Sequence, residues 1–175
     1  MQSATADLRA EHQGVLAVLK IMEAMAKRLE AGLGVESGHW EQALDFLKVF
    51  VDKCHHGKEE DFLFPALEAA GVPRQGGPIA ALLAEHQEGR RLVKAMAGAQ
   101  GPERAKAIRA YVNLLRDHIA KEDGVLFPLA DERLAPARQG ELAQAYERLE
   151  NERIGPGRHE AFHAMIETLT YTYLG

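Results

Sequence analysis

The sequence predicts an all-α protein, an up-down-up-down four-helix bundle followed by an additional C-terminal helical segment. Three observations carry this reading. Apolar residues recur at helical spacing through most of the chain, and no segment of strand-like alternation stands out. Glycine and proline clusters cut the chain into pieces of helical length. The first four pieces are joined by short connections, as in a simple bundle.

The first helix is expected from about Ser3 to Leu29, with Leu8, Val15, Leu19 and Met22 at helical spacing and Ser3, Thr5 and Asp7 as cap candidates. Gly32 and Gly34 end it. A second helix starts near Ser37 and carries Leu44, Leu47 and Val51. Pro65 is expected to bend or end it, and Gly71-Val72-Pro73 closes the segment. Gly76-Gly77-Pro78 sets a proline at the first position of a third helix, roughly Pro78 to Ala97. Gly98 and Gly101-Pro102 separate it from a fourth, which runs to about Phe127-Pro128. Residues 1–132 thus form the expected bundle. Residues 133–175 form a helical extension that packs on it, with one helix at about Gln139–Arg153 and another at Arg158–Leu174, since some forty residues bury too little surface to stand alone.

Bulk properties exclude several classes. At 175 residues, 46% hydrophobic and 27% charged, the chain is long enough for a single core of ordinary composition. The net charge of −5 and the lack of a basic stretch argue against nucleic acid as a partner. No apolar run reaches the ~18 residues of a membrane span, and the N-terminal residues lack a secretory pattern. The one cysteine, Cys54, has no partner for an internal disulfide. A cytoplasmic protein is expected.

The chain repeats itself, and the matching residues are the chemical ones. Leu8-Arg-Ala-Glu-His12-Gln13 resembles Leu82-Leu-Ala-Glu-His86-Gln87. The stretch from Cys54 to Pro65 aligns without a gap on Asp117 to Pro128, pairing His55 with His118 and Glu59 with Glu122. The doublets His55-His56 and Glu59-Glu60 allow two His-x-x-x-Glu readings. Only His55 with Glu59 keeps the distance to Leu-Phe-Pro that His118 with Glu122 has.

Residues four apart share a helical face. His12 lies about nine residues inside the first helix, roughly 14 Å from its start, and His86 about eight residues past Pro78, roughly 12 Å. Glu59 and Glu122 each lie six residues before their proline, roughly 9 Å from it. All six side chains therefore fall at similar depth near one end. Four imidazoles and two carboxylates in an apolar bundle are costly unless they are matched by charge. Two divalent ions would answer that cost, one on His12 and His55, the other on His86 and His118, with Glu59 and Glu122 between them. Mixed nitrogen and oxygen ligands suit iron best, with manganese and zinc as alternatives.

These residues resemble the haemerythrin-like family, named for a His-His-Glu motif, over about Leu8 to Ala130. The resemblance implies a four-helix bundle with an oxo- or hydroxo-bridged centre of two iron ions that meets dioxygen, nitric oxide or peroxide. Carried over by position, it implies His12, His55, Glu59, His86, His118 and Glu122 as ligands. There is one departure. Oxygen-carrying haemerythrins place a second histidine one turn from the third-helix histidine, where this chain offers Leu82 and Arg90. Four histidines rather than five put plain oxygen carriage in doubt. Related four-histidine proteins are linked to nitric oxide or oxidative stress and to iron–sulfur repair.

Other polar residues are weighed against bland roles. His56 and Glu60 sit about 100° round the helix from the ligands, so they are expected at a helix boundary or solvent, and their loss is expected to leave metal binding largely intact. Glu11 and Glu85 are expected exposed, with contact to an imidazole as the alternative. Phe62, Phe64, Phe127 and Tyr111 read as core, Cys54 as a buried inert thiol, His39 as surface. His159 and His163 share a face in the tail and are candidates for a further ligand, against a packed or solvated pair. Three functions compete. One is a catalyst acting on nitric oxide, peroxide or dioxygen, fed by an unknown electron donor. The second is an oxygen or nitric oxide sensor, or an iron store or donor, without turnover. The third is a metal-free structural bundle.

Overall fold

The computed structural model describes residues 3–175. They form six helical rods, and no strand occurs among the described residues. The rods are α1 (Ala4–Glu30), α2 (37–69), α3 (Pro78–Gly98), α4 (101–133), α5 (Pro136–Arg153) and α6 (Arg158–Leu174). Ser3 caps α1 by accepting from the Ala6 N–H at 3.0 Å. Gly32 and Gly71 adopt positive φ just past α1 and α2, where the turn that closes a helix favours glycine.

Of the two outcomes expected at Pro65, a bend or an end, the end does not occur, and the expected end near Pro128 is corrected: α2 runs on to Ala69 and α4 to Arg133. The cause lies one residue upstream. The stretches Glu59–Leu63 and Glu122–Leu126 are π-helical, and Phe64 and Phe127 donate to the carbonyls of Glu59 and Glu122, five residues back. A proline inside a regular α-helix clashes with the carbonyl four residues before it, and the wider turn relieves that clash. A third π-helical stretch covers Leu47–His56. All three adjoin or contain the histidine and glutamate residues of α2 and α4.

α1 packs along α4, α4 along α3, and α2 against α3 and α5. The buried apolar residues fall into two clusters. One contains Val15, Val51, Leu92 and Leu115, the other Leu8, Leu63, Leu82 and Leu126. Along each of α1 to α4 the histidine and glutamate positions lie between a member of one cluster and a member of the other. A polar level is thus plugged above and below by hydrocarbon.

α5 adds Leu142 and Tyr146 to one apolar cluster, and α6 adds Phe162, Met165 and Leu169 to the other. The Phe162 ring meets Phe46 and Phe50 edge-on, with centroids 5.3 and 5.9 Å apart. Phe162→Ala is expected to cost about 3 kcal/mol through the cavity it leaves, read as a lower urea midpoint at unchanged slope. An unchanged midpoint would mean that α6 does not dock on α2.

Candidate metal centre

His12, His55, Glu59, His86, His118 and Glu122 all come together, each no more than 2% exposed. The histidines form two pairs. His12 Nε2 is 3.1 Å from His55 Nε2, and His86 Nε2 is 3.2 Å from His118 Nε2. The two glutamates lie between the pairs. Glu122 Oε1 is 3.1 Å from His12 Nε2 and 3.4 Å from His118 Nε2. Glu59 Oε1 is 3.7 Å from His55 Nε2 and 3.4 Å from His86 Nε2. Each carboxylate therefore reaches one histidine of both pairs.

The outer nitrogens are held just as regularly. His12 Nδ1 meets Asp123 at 2.8 Å, His55 Nδ1 meets Glu11 at 2.9 Å, His86 Nδ1 meets Glu60 at 2.7 Å, and His118 Nδ1 meets Glu85 at 2.9 Å. Each imidazole is clasped by a carboxylate from a different rod, so the four contacts close a ring from α1 to α2, α3, α4 and back to α1. A carboxylate only accepts, so each Nδ1 carries the proton and each Nε2 turns inward as an atom that could bind a metal. Lysines complete the clasps. Lys58 Nζ donates to Glu11 at 2.5 Å and also to Glu150 of α5, and Lys121 Nζ donates to Glu85 at 2.5 Å. Arg90 holds Glu60 at 2.6 Å and Asp52 at 2.9 Å.

The charges at the centre are strongly displaced. Burial alone would lower the His55 pKa, but the hydrogen bond to Glu11 and the nearby charge of Glu122, 3.9 Å away, outweigh it and hold the group at about 9. Burial, reinforced by the facing charge of Glu122, pushes Glu59 well above the usual carboxylate range. Burial would raise Glu122 too, yet Glu59, His118, His12 and His55 hold it well below that range. Glu59 and His55 thus keep protons where a cation would otherwise sit, and, against burial, Glu122 and Glu85 raise His118 in the same direction.

A metal fits this donor set. Inward nitrogens bearing lone pairs repel at 3.1–3.2 Å unless a proton or a cation lies between them. Two nitrogens bound at right angles to one ion, each at ~2.1 Å, would sit ~3.0 Å apart. Both oxygens of Glu59 and Oε2 of Glu122 are buried with no hydrogen-bond partner, a cost of roughly 1–3 kcal/mol each that bound cations would offset. Donor atoms of His12, His55 and Glu122 lie within 4.8 Å of one another, and so do those of His56, Glu59, His86 and His118.

Several sequence expectations need correction. His56 faces the boundary between α2 and α3, one of its two expected places, but it is not a bystander there. It is 4% exposed, its ring stacks on His86 with centroids 3.7 Å apart, and neither of its nitrogens has a hydrogen-bond partner. Glu60 is not a spare carboxylate but the clasp on His86. Glu11 and Glu85 are not exposed, with side chains only 10% and 16% accessible, because each turns inward to its histidine. His56 lies in a π-helical stretch, and its stacking on His86 was not foreseen from the sequence. The contribution of Asp123 was missed, although the repeat alignment sets it opposite Glu60. His159 and His163 do not reach the cluster. His159 Nε2 lies 3.6 Å from Glu150, with its ring against Phe50, and His163 is exposed. Cys54 is buried, and burial pushes its thiol up to about 12, so it is held protonated at neutral pH.

The clasps give a graded test. Glu11→Ala, Glu60→Ala, Glu85→Ala and Asp123→Ala are each expected to weaken metal binding by roughly 10- to 100-fold, measured by chelator competition on protein with unchanged helical circular dichroism. Affinities equal to the parent's would show that these carboxylates do not orient the ligands.

No helix among the described residues is long and apolar enough to cross a membrane. The chain is similar to an uncharacterized protein of Mycobacterium bovis and to uncharacterized proteins of two Mycobacterium tuberculosis strains. Each is 28% identical over 163 residues, covering 87% of this chain and 63% of the relative. The chain therefore spans less than two thirds of the length of these relatives. No solved structure matches it. The hemerythrin HHE cation binding domain matches residues 3–130, the stretch that carries all six histidine and glutamate positions of the centre, and the chain belongs to that family.

Proposed function

We propose that the chain is a non-haem di-iron protein, built on an up-down-up-down four-helix bundle, that binds or reacts with dioxygen, nitric oxide or peroxide. The observation that carries this reading is the division of the donors into two histidine pairs with a glutamate reaching across from each side. His12 with His55 and His86 with His118 would each hold one ion, and Glu59 and Glu122 would bridge them. Bound iron would supply redox and Lewis-acid chemistry. The chain's own residues do the rest. The four clasping carboxylates fix the imidazole tautomer and strengthen Nε2 as a donor. The two apolar plugs exclude bulk water and raise the strength of every charge interaction between them. Two histidines and two bridging carboxylates make four protein donors per ion, which would leave positions on each for a small molecule.

Protein made with adequate iron should carry about two irons per chain. Anaerobic reduced protein titrated with oxygen, nitric oxide and peroxide should show changes in its optical spectrum, and turnover of one of them separates a catalyst from a sensor or iron donor. Protein that holds no transition metal after anaerobic reconstitution contradicts the reading.

A pH dependence follows from the displaced protons. His55, raised to about 9, carries a proton at neutral pH in the metal-free protein, as does the raised Glu59. A metal must displace these protons, so uptake should release protons and affinity should climb with pH until it flattens above about 9. Calorimetric titration in two buffers of different ionisation enthalpy counts the protons. Binding without proton release would contradict this account of the centre.

A further inference from the structure

The repeat that builds the centre is broken at an inward position beside the histidines. Glu11 matches Glu85, Lys58 matches Lys121, Glu60 matches Asp123, and Phe64 matches Phe127. Both phenylalanine rings stack on a ligand-set histidine, Phe127 on His12 at 5.3 Å and Phe64 on His86 at 6.0 Å. The counterpart of His56 is Ile119. Both are buried, and both line the small enclosed space at the centre together with His12, His55, His118 and Glu122. If this position only needed filling, hydrocarbon would serve, as Ile119 does on the other half. The chain instead buries an imidazole with two unpartnered nitrogens, at a cost of roughly 1–3 kcal/mol for each group left unsatisfied. Asp52 approaches to 3.4 Å of Nδ1 but without hydrogen-bond geometry.

We propose that His56 is a fifth, detachable nitrogen donor to the metal position formed by Glu59, His86 and His118, which makes the two positions of the centre unequal. The inference rests on the two-metal reading above. Its donor atom already lies within 4.8 Å of those of the other three. Rings stacked at 3.7 Å and 17° cannot both aim an in-plane lone pair at one ion, so ligation turns His56 out of its stack on His86. The room for that turn is beside it. A cavity of about 370 Å³ lies between α2 and α3, bordered by His56, His86, Val51, Arg90 and Tyr111. When His56 is stacked, the cavity-side position is open to an incoming molecule. When it is bound, that position is closed.

The test is a Co(II) titration of metal-free parent, His56→Ala and His56→Leu, read by visible absorption and chelator competition. Two constants are expected for the parent. In both variants one constant should weaken by at least about tenfold while the other is unchanged, and millimolar imidazole should restore the lost absorption in His56→Ala. Misfolding is controlled by melting the metal-free proteins. His56→Leu removes two unsatisfied nitrogens and should melt no lower than the parent. If both variants keep both constants, or if both constants fall together and imidazole restores nothing, His56 is not a ligand although the centre holds two metals. A parent that takes up one ion or none overturns the two-metal reading, and this inference with it.

Discussion

The constraint on which the rest of the structure depends is a single buried level of four imidazoles and two carboxylates inside an apolar bundle. Hydrocarbon lies on both sides of it, so no solvent relieves unpaired charge there. The chain answers with geometry. Each imidazole is tied at Nδ1 to a carboxylate of a different rod, and the ties run round the bundle as a closed ring. A ring of this kind fixes the relative heights of α1, α2, α3 and α4, because a helix that slid by one turn would break two contacts. The same contacts that set ligand orientation therefore also set helix register. Three carboxylate oxygens are left without a partner, and these, with the inward nitrogens crowded against one another, are the atoms a cation would satisfy.

The backbone pays a local cost to reach this arrangement. Three π-helical stretches occur among the described residues, and each contains or borders a residue of the centre. A widened turn places consecutive residues differently from an α-helix, which brings His55 and His56 both inside while Glu60 swings to clasp His86. It also carries α2 and α4 through Pro65 and Pro128, which lengthens the rods past the centre and lets Phe64, Leu67, Phe127 and Ala130 form the second plug.

Much of this was legible in the sequence. Helical periodicity and glycine–proline breaks gave six rods close to those observed, and the internal repeat set six histidine and glutamate positions at one level, where the structure brings them together. The repeat held the answer to more than was read from it. Glu11 with Glu85, Lys58 with Lys121 and Glu60 with Asp123 are all matched pairs, and a matched charged pair beside a buried histidine is a signal for an orienting contact. The stacking of His56 on His86 was not legible, because neither propensity nor spacing announces the π-helical stretch in which it lies. The tail histidines take the packed and solvated places that the sequence offered as the alternative to ligation. The helix that bears them packs on the outside of α1 and α2 through Phe162, Met165 and Leu169, a face that leaves His163 in solvent.

The central claim is that two ions sit side by side in this level. Diffraction from iron-loaded crystals at the iron absorption edge tests it most directly, because anomalous scattering locates the metal without assuming its ligands. The account predicts two peaks per chain, ~3.5–4 Å apart, one beside Nε2 of His12 and His55 and the other beside Nε2 of His86 and His118, with Glu59 and Glu122 between them. A single peak, or peaks bound by surface residues away from these six side chains, would contradict it.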